Sequence, residues 1–377
     1  MKQKRNLLAV FSICIIALSV SFLLSGCEKK TGTEEKLTFK IGETLPLTGK
    51  LGFMGESMKE ALLMAKEEVE KQGGLKFNYE VIFEDDQLDP KLTANTVNKL
   101  INIDKVDAVI SLDSGGGNIT SELASAANII HFGIAVSPTV ADGKTNFLHW
   151  TTPREHSRVM IDALNKRGLK KVGILRSNYE DFEVQGNDFR DAVKGTGIEV
   201  VSEQVFELGE KDFRSFIAKM KENEKNNKPD IYLVLEMSPG LEIMTKAMMD
   251  AKIKTDMTSM MSFETTEEVN LFEGKWYVSP ADATQEFTTN YNNKYKKNWV
   301  ICAPNAYDVY KMIVFAVEHA AKSPSEKPTT QQIAAELFKI KDFNASLGTL
   351  WMDDKGMVQS KAQVKIVKDG KFVPIEG

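Results

Sequence analysis

From Leu37 onward the chain alternates short apolar runs with longer amphipathic stretches, and this alternation limits the possible folds more than any other feature. "LTFKIGETL" has the pattern of a strand. "ESMKEALLMAKEEVEKQGG" has that of a helix: Met58, Ala61, Leu62, Ala65 and Val69 share one face, and Gly73-Gly74 ends it. "FNYEVIFED" predicts a strand, "DPKLTANTVNKLIN" a helix and "VDAVISL" a short buried strand, and "SELASAANII" with "GIAVS" repeats the unit. A second series runs through "KVGILRS", "NDFRDAVKG", "IEVVSEQVF", "RSFIAKMKENEK", "DIYLVLEM", "GLEIMTKAMMDAKI" and "KWYVS". Strands separated by helices of this length pair through crossovers, so the pattern predicts an α/β fold with parallel sheets. Between the two series, "NFLHWTTPREHSR" with its Pro153 reads as an irregular crossing. A long helix follows at "NAYDVYKMIVFAVEHAAK", and "AQVKIVKDGKFVPI" closes the chain as a hairpin about Asp369-Gly370. At 377 residues the chain is long for one core, and two α/β lobes are expected.

The N-terminus is of another kind. Lys2, Lys4 and Arg5 precede an uncharged apolar stretch, Leu7–Leu24, which ends in "LLSGC". A stretch of about 18 residues lies at the border between a signal peptide and a membrane span. The ending Leu-Ser-Gly-Cys resembles the lipobox of bacterial lipoproteins. That resemblance implies a signal peptide at 1–26, cleavage before Cys27, and lipidation of the Cys27 thiol. Residues 27–36 then form a polar tether of roughly 15–18 Å by random-coil scaling. The remaining chain is expected outside the cytoplasm, lipid-anchored to a bacterial membrane.

Charge and cysteines agree with that placement. Net charge is −5, and removing Lys2, Lys4 and Arg5 with the leader takes it to −8. An acidic chain without basic runs argues against nucleic acid as a partner. Of three cysteines, Cys14 lies in the leader and Cys27 is the lipid site. Cys302 is left alone, so no intramolecular disulfide or cysteine-rich metal site is expected. In "WVICAPNAY" it reads as a buried small hydrophobe.

"VISLDSGGGNIT", residues 109–120, suggests a glycine-rich anion loop. It fails the dinucleotide pattern because Thr120 stands where the third glycine belongs. The Gly143-Lys144-Thr145 triplet fails the P-loop pattern because Pro138 occupies the first glycine's place. What remains is a close backbone approach and a helix N-terminus, expected near Ile119, suited to a carboxylate. The four histidines are scattered, and neither H-E-x-x-H nor G-x-S-x-G occurs. No enzyme constellation is therefore read, and neither a cofactor nor a metal is expected. "EDDQLDP" admits a calcium site, but a capped turn into the helix at Pro90 is simpler.

Several phrases in order resemble the leucine/isoleucine/valine-binding protein family, the extracytoplasmic receptors of amino-acid ABC importers. They are "IGETLPLTGKLGFMGESMKEALLMAKEEV", "FEDDQLDPKLTANTVNKLI", "KVDAVIS", "GIAVSPTVAD", "EKDFRSFIAKMK" and "LGTLWMDDKGMV". The resemblance implies two Rossmann-like α/β lobes joined by three crossing segments, with a ligand cleft between them. The crossings would fall near Trp150–Thr152, Val278–Pro280 and Gly348–Leu350. Residues 37–149 and 281–347 would form lobe 1, and 150–280 with 348–377 lobe 2.

The same resemblance implies the site. Ser114, Gly115 and Gly116 would hold a ligand carboxylate, with Thr139 in a second contact set, and Glu264 would bind an ammonium. Met54 and Met237 occupy positions that often wall the pocket, and Tyr179 or Phe182 would supply a third wall. The implied function is capture of a small ligand, above all a hydrophobic or branched-chain-type amino acid, and delivery to an ABC permease. The alternatives are a receptor for an amide, urea or aromatic acid, and a ligand-sensing subunit of a signalling system.

Overall fold

The computed structural model describes residues 35–375, so the expected signal peptide, the lipid site at Cys27 and nearly all of the tether lie outside the described residues. The first α/β series consists of β1 (Thr38–Leu45), α1 (Gly52–Gln72), β2 (Asn78–Asp85), α2 (Pro90–Lys99), β3 (Ala108–Leu112), α3 (Ser114–Ala127), β4 (Ile130–Ile134) and β5 (Asn146–His149). The second comprises α4 (Pro153–Lys166), β6 (Lys171–Ser177), α5 (Glu180–Ala192), β7 (Glu199–Phe206), α6 (Arg214–Asn226), β8 (Ile231–Leu235), α7 (Gly240–Asp250), β9 (Asp256–Ser259) and β10 (Trp276–Pro280). Then come α8 (Gln285–Tyr295), α9 (Ala303–Ala320), α10 (Thr330–Leu337), β11 (Phe343–Ala345), β12 (Gly348–Met352), β13 (Met357–Gln359), β14 (Ala362–Lys368) and β15 (Lys371–Pro374).

The expected α/β architecture is present. One sheet has the order β11-β12-β13-β5-β4-β3-β1-β2, with β1 to β5 parallel throughout. A second, β7-β6-β8-β9, is wholly parallel. A bridge between Met260 and Val278 carries it on to the antiparallel trio β10-β14-β15. The apolar faces read from the sequence do the packing: Met58, Ala61, Leu62, Ala65 and Val69 of α1 are all buried, and α9 packs along α1. Asp89 caps α2 by accepting from the Lys91 and Leu92 amides, with Pro90 opening the helix. This is the capped turn expected there.

Three local readings change. Residues Gly348–Leu350, expected as a crossing, begin β12, which pairs with β13 in the eight-stranded sheet. Leu350, Met352 and Val358 are buried in that sheet's core, so the chain leaves it only between Gln359 and Ala362. Alternating burial along "GTLWM" carries this, and a turn of Asp353–Gly356 folds the two strands together. "NFLHWTTPREHSR" is not irregular: it holds β5 and the start of α4, whose N-cap Thr152 accepts from the Glu155 amide ahead of Pro153. Finally, α3 begins at Ser114, five residues before Ile119.

Candidate ligand-binding cleft

The parallel strands of both sheets end at one place. Leu51 and Met54 follow β1, Leu88 follows β2, Asp113 follows β3, Val136 follows β4 and Trp150 follows β5. From the other sheet, Tyr179, Asp181 and Phe182 follow β6, Met237 follows β8, and Met261 and Thr265 follow β9. Cys302, ahead of α9, completes the wall. These residues enclose a cavity of about 50 Å³, room for a few water molecules. The carboxyl ends of strands are where open α/β sheets bind ligands.

The glycine run is the first turn of α3. Asp113 caps that helix with a positive φ of 62°, its side chain accepting the Gly116 amide. Gly116 and Gly117 answer to space: a Cβ on Gly116 would stand 2.8 Å from the Asp113 Oδ1, and one on Gly117 2.9 Å from Val140.

Hydrogen bonds tie this turn to the start of α5 across the cleft. The Ser114 amide donates to Asp181 Oδ1 at 3.1 Å, and the Ser114 hydroxyl donates to the same oxygen. The Val136 amide is a further donor to Asp181, and the Ser137 amide holds the Ser114 hydroxyl from behind at 2.8 Å. Tyr179 donates its hydroxyl to Asp113, and Asn118 donates to Glu180 at 2.7 Å.

The cavity is acidic. Asp113 and Asp181 both line it, and among the described residues no Lys, Arg or His does. Burial, and then the charge of Asp181, push the Asp113 carboxyl well above the usual carboxylate range. Burial raises Asp181 to about 6 against the pull of the Ser114 donors. Tyr179 is raised too, by burial and by Asp113. Trp150 is buried, its indole N–H lacking a partner among the described residues.

Of the residues singled out from sequence, Met54, Tyr179, Phe182 and Met237 line this cavity. Ser114 stands behind Asp181, and Gly115 and Gly116 lie in the turn beside it. Thr139 is exposed outside the cavity, bonded to Ser137 and Asn118. Glu264 lines a neighbouring groove of about 700 Å³ with Phe53, Trp299 and Lys365. Its Oε1 accepts from Lys365 at 2.9 Å and from the Tyr277 hydroxyl at 2.8 Å. Burial would lower Lys365, but Glu264 and Asp282 together raise it above the ordinary lysine value. Sequence reasoning missed Asp113, Asp181, Trp150, Thr265 and the position of Cys302 in the wall. An acid directly between a strand and a helix was a legible signal for Asp113; nothing local marked Asp181.

A family model described as "Periplasmic binding protein" matches residues 38–371. The chain belongs to that family. Leu/Ile/Val-binding protein homolog 3 of Brucella melitensis is 24% identical over 356 residues, 89% of this chain and 93% of that one. A leucine-, isoleucine-, valine-, threonine- and alanine-binding protein of Pseudomonas aeruginosa is 23% identical, with 85% and 87% covered. The match to Leu/Ile/Val-binding protein homolog 7 of Brucella melitensis, 25% identical over 163 residues, spans 42% of this chain and only 40% of that relative.

Solved structures show the same two-lobed fold. A leucine binding protein from Thermotoga maritima superposes on this periplasmic binding protein with a TM-score of 0.79 at 21% identity, covering 90% of this chain and 98% of that one. A branched-chain amino acid transporter substrate binding protein from Streptococcus pneumoniae, in complex with isoleucine, gives 0.77 at 20%, with 90% and 100% covered. A solute binding protein of an ABC transporter from R. palustris, in complex with benzoate, gives 0.76 at 18%, with 90% and 95% covered. The family is extracytoplasmic, and no described helix is long and apolar enough to cross a membrane.

Proposed function

We propose that this chain is a lipid-anchored solute-binding protein that captures a small ligand with an apolar body between two lobes and hands it to an ABC permease. One observation carries the reading. Apolar side chains following the strand ends of both sheets, among them Met54, Leu88, Trp150, Phe182 and Met237, wall one cavity that both halves are needed to close. Residues 37–149 with 281–359 would form one lobe and 150–280 with 360–377 the other, since β12 and β13 belong to the first sheet. At about 50 Å³ the cavity is too small for a branched-chain body, so the lobes part to admit the ligand and reclose around it less tightly than they stand here; the contacts it then makes with both lobes give it the differential affinity that shifts a hinge equilibrium.

The apolar lining suits a body of the branched-chain amino-acid type, as in several relatives' names. The flexible thioethers of Met54 and Met237 supply walls that adapt to its shape. A leader ending in Leu-Ser-Gly-Cys supports the anchor at Cys27. Two measurements test this. Mass spectrometry of small molecules released on denaturation should find a stoichiometric apolar ligand, and returning that ligand should raise Tm, by about 2.7 kcal/mol of stability at 100 times Kd. Cys27→Ala should move the protein from the membrane to the soluble fraction; unchanged fractionation removes the anchor from the reading.

A further inference from the structure

We propose that the cleft selects a small apolar cation, with an ammonium group and a neutral oxygen but no carboxylate, because Asp181 already fills the place a ligand carboxylate would need. This rests on the solute-binding reading above. The Ser114 amide, the Ser114 hydroxyl and the Val136 amide converge from one side of the cleft on the Asp181 carboxylate from the other. They are donors of the kind a carboxylate takes, and Asp181 holds all three. To reach them, a zwitterionic ligand would have to expel Asp181, leaving that acid buried among Asp113, Glu180 and the ligand's own negative group.

Charge points the same way. Two carboxylates, each 7% exposed, face a cavity whose lining, among the described residues, holds no Lys, Arg or His. Burial holds both carboxyls toward their neutral forms, and a ligand ammonium placed between them is the partner that would let them ionise, since no described lining residue carries a cation. A third acid, Glu264 in the neighbouring groove, is already paired with Lys365 and offers an ammonium less than Asp113 and Asp181 do. Tyr179, Phe182 and Trp150 line the cavity, and aromatic faces suit an ammonium. Trp150 lines the cavity, and its buried indole N–H has no acceptor among the described residues. A neutral carbonyl or hydroxyl oxygen would satisfy it without adding negative charge.

Four probes with one apolar side chain and different head groups decide the matter by isothermal titration calorimetry on the dialysed protein. Leucinol and leucinamide keep the ammonium and present a neutral oxygen, leucine adds the carboxylate, and 4-methylpentanoate has the carboxylate alone. Leucinol or leucinamide should bind at least about tenfold tighter than leucine, and 4-methylpentanoate should give no heat. Leucine or 4-methylpentanoate as the tightest of the four overturns the inference while leaving the solute-binding reading intact. Silence from all four also overturns it, and the released-ligand measurement above then judges that reading separately. In Asp181→Asn, leucinol should weaken at least about tenfold with the thermal melt retained. In Asp181→Ala, which frees the Ser114 donors, the preference should move toward leucine. An unchanged order of affinities in both folded variants would remove Asp181 from its role.

Discussion

Lys365 and Glu264 lie 101 residues apart in the chain and meet at 2.9 Å in a nearly dry environment, 2% and 6% exposed. Asp282, 2.6 Å from the same ammonium and half-exposed, makes it a triad. The partners are unequal: removing Lys365 strands two acids, whereas removing Glu264 leaves the lysine paired. Lys365→Met should cost about 3–5 kcal/mol in urea unfolding, and Glu264→Gln clearly less. A larger loss from Glu264→Gln would contradict this hierarchy.

Packing at the cleft gives a second expectation. A methyl group on Gly117 meets Val140 at 2.9 and 3.1 Å. Gly117→Ala should destabilise by about 1–3 kcal/mol through overpacking, although alanine is the better helix former. Adding Val140→Ala should return part of that loss. Strict additivity of the two changes in a double-mutant cycle would show that the two positions do not touch.

Glu43 on β1 supplies a pH dependence. It is fully buried, neither carboxyl oxygen has a partner among the described residues, and burial raises it to about 8 from 4.5. Between those values the folded protein holds a proton that the unfolded chain releases. Glu43 therefore favours unfolding increasingly as pH rises through this window, by up to about 1.4 kcal/mol per unit. Glu43→Gln carries no such slope. Its stability advantage over the parent should widen between about pH 5.5 and pH 8 in parallel urea titrations. A constant difference would mean that the Glu43 charge is compensated in the fold.

Tyr179 and Asp113 face each other across the cleft, the phenol donating to the carboxylate. Tyr179→Phe removes one closing hydrogen bond, worth about 1 kcal/mol, and should shift the ligand-free balance toward open forms about fivefold. Small-angle scattering would register a larger radius of gyration. An identical radius in parent and variant would assign the bond no part in closure.

Much of the fold was legible because helix and strand periods are written locally. The face of α1 and the Asp89-Pro90 cap were read directly from the chain. The errors came where two signals overlapped. Pro153 looked like a breaker because its role as the first residue of a capped helix depends on Thr152 beside it. The glycines of α3 looked like a loop because the demand for small residues comes from Val140 and the Asp113 carboxylate. The hairpin of β12 and β13 was misplaced because its partner, β5, lies some two hundred residues earlier in the chain.

The sequence by itself determined the α/β class and the apolar faces, while Met54, Tyr179, Phe182 and Met237, which the family resemblance suggested as walls, do line the cavity. Burial of an apolar side chain depends on which face it occupies, and the period of the chain states that. Only the tertiary structure decided the charges. Ser114 reads as free to bind a ligand until Asp181, 67 residues on, is found on it, and Glu264 reads as a bare acid until Lys365 is found. A charged group's state is set by whatever stands within a few ångströms of it, and in a two-lobed fold those neighbours come from distant parts of the chain.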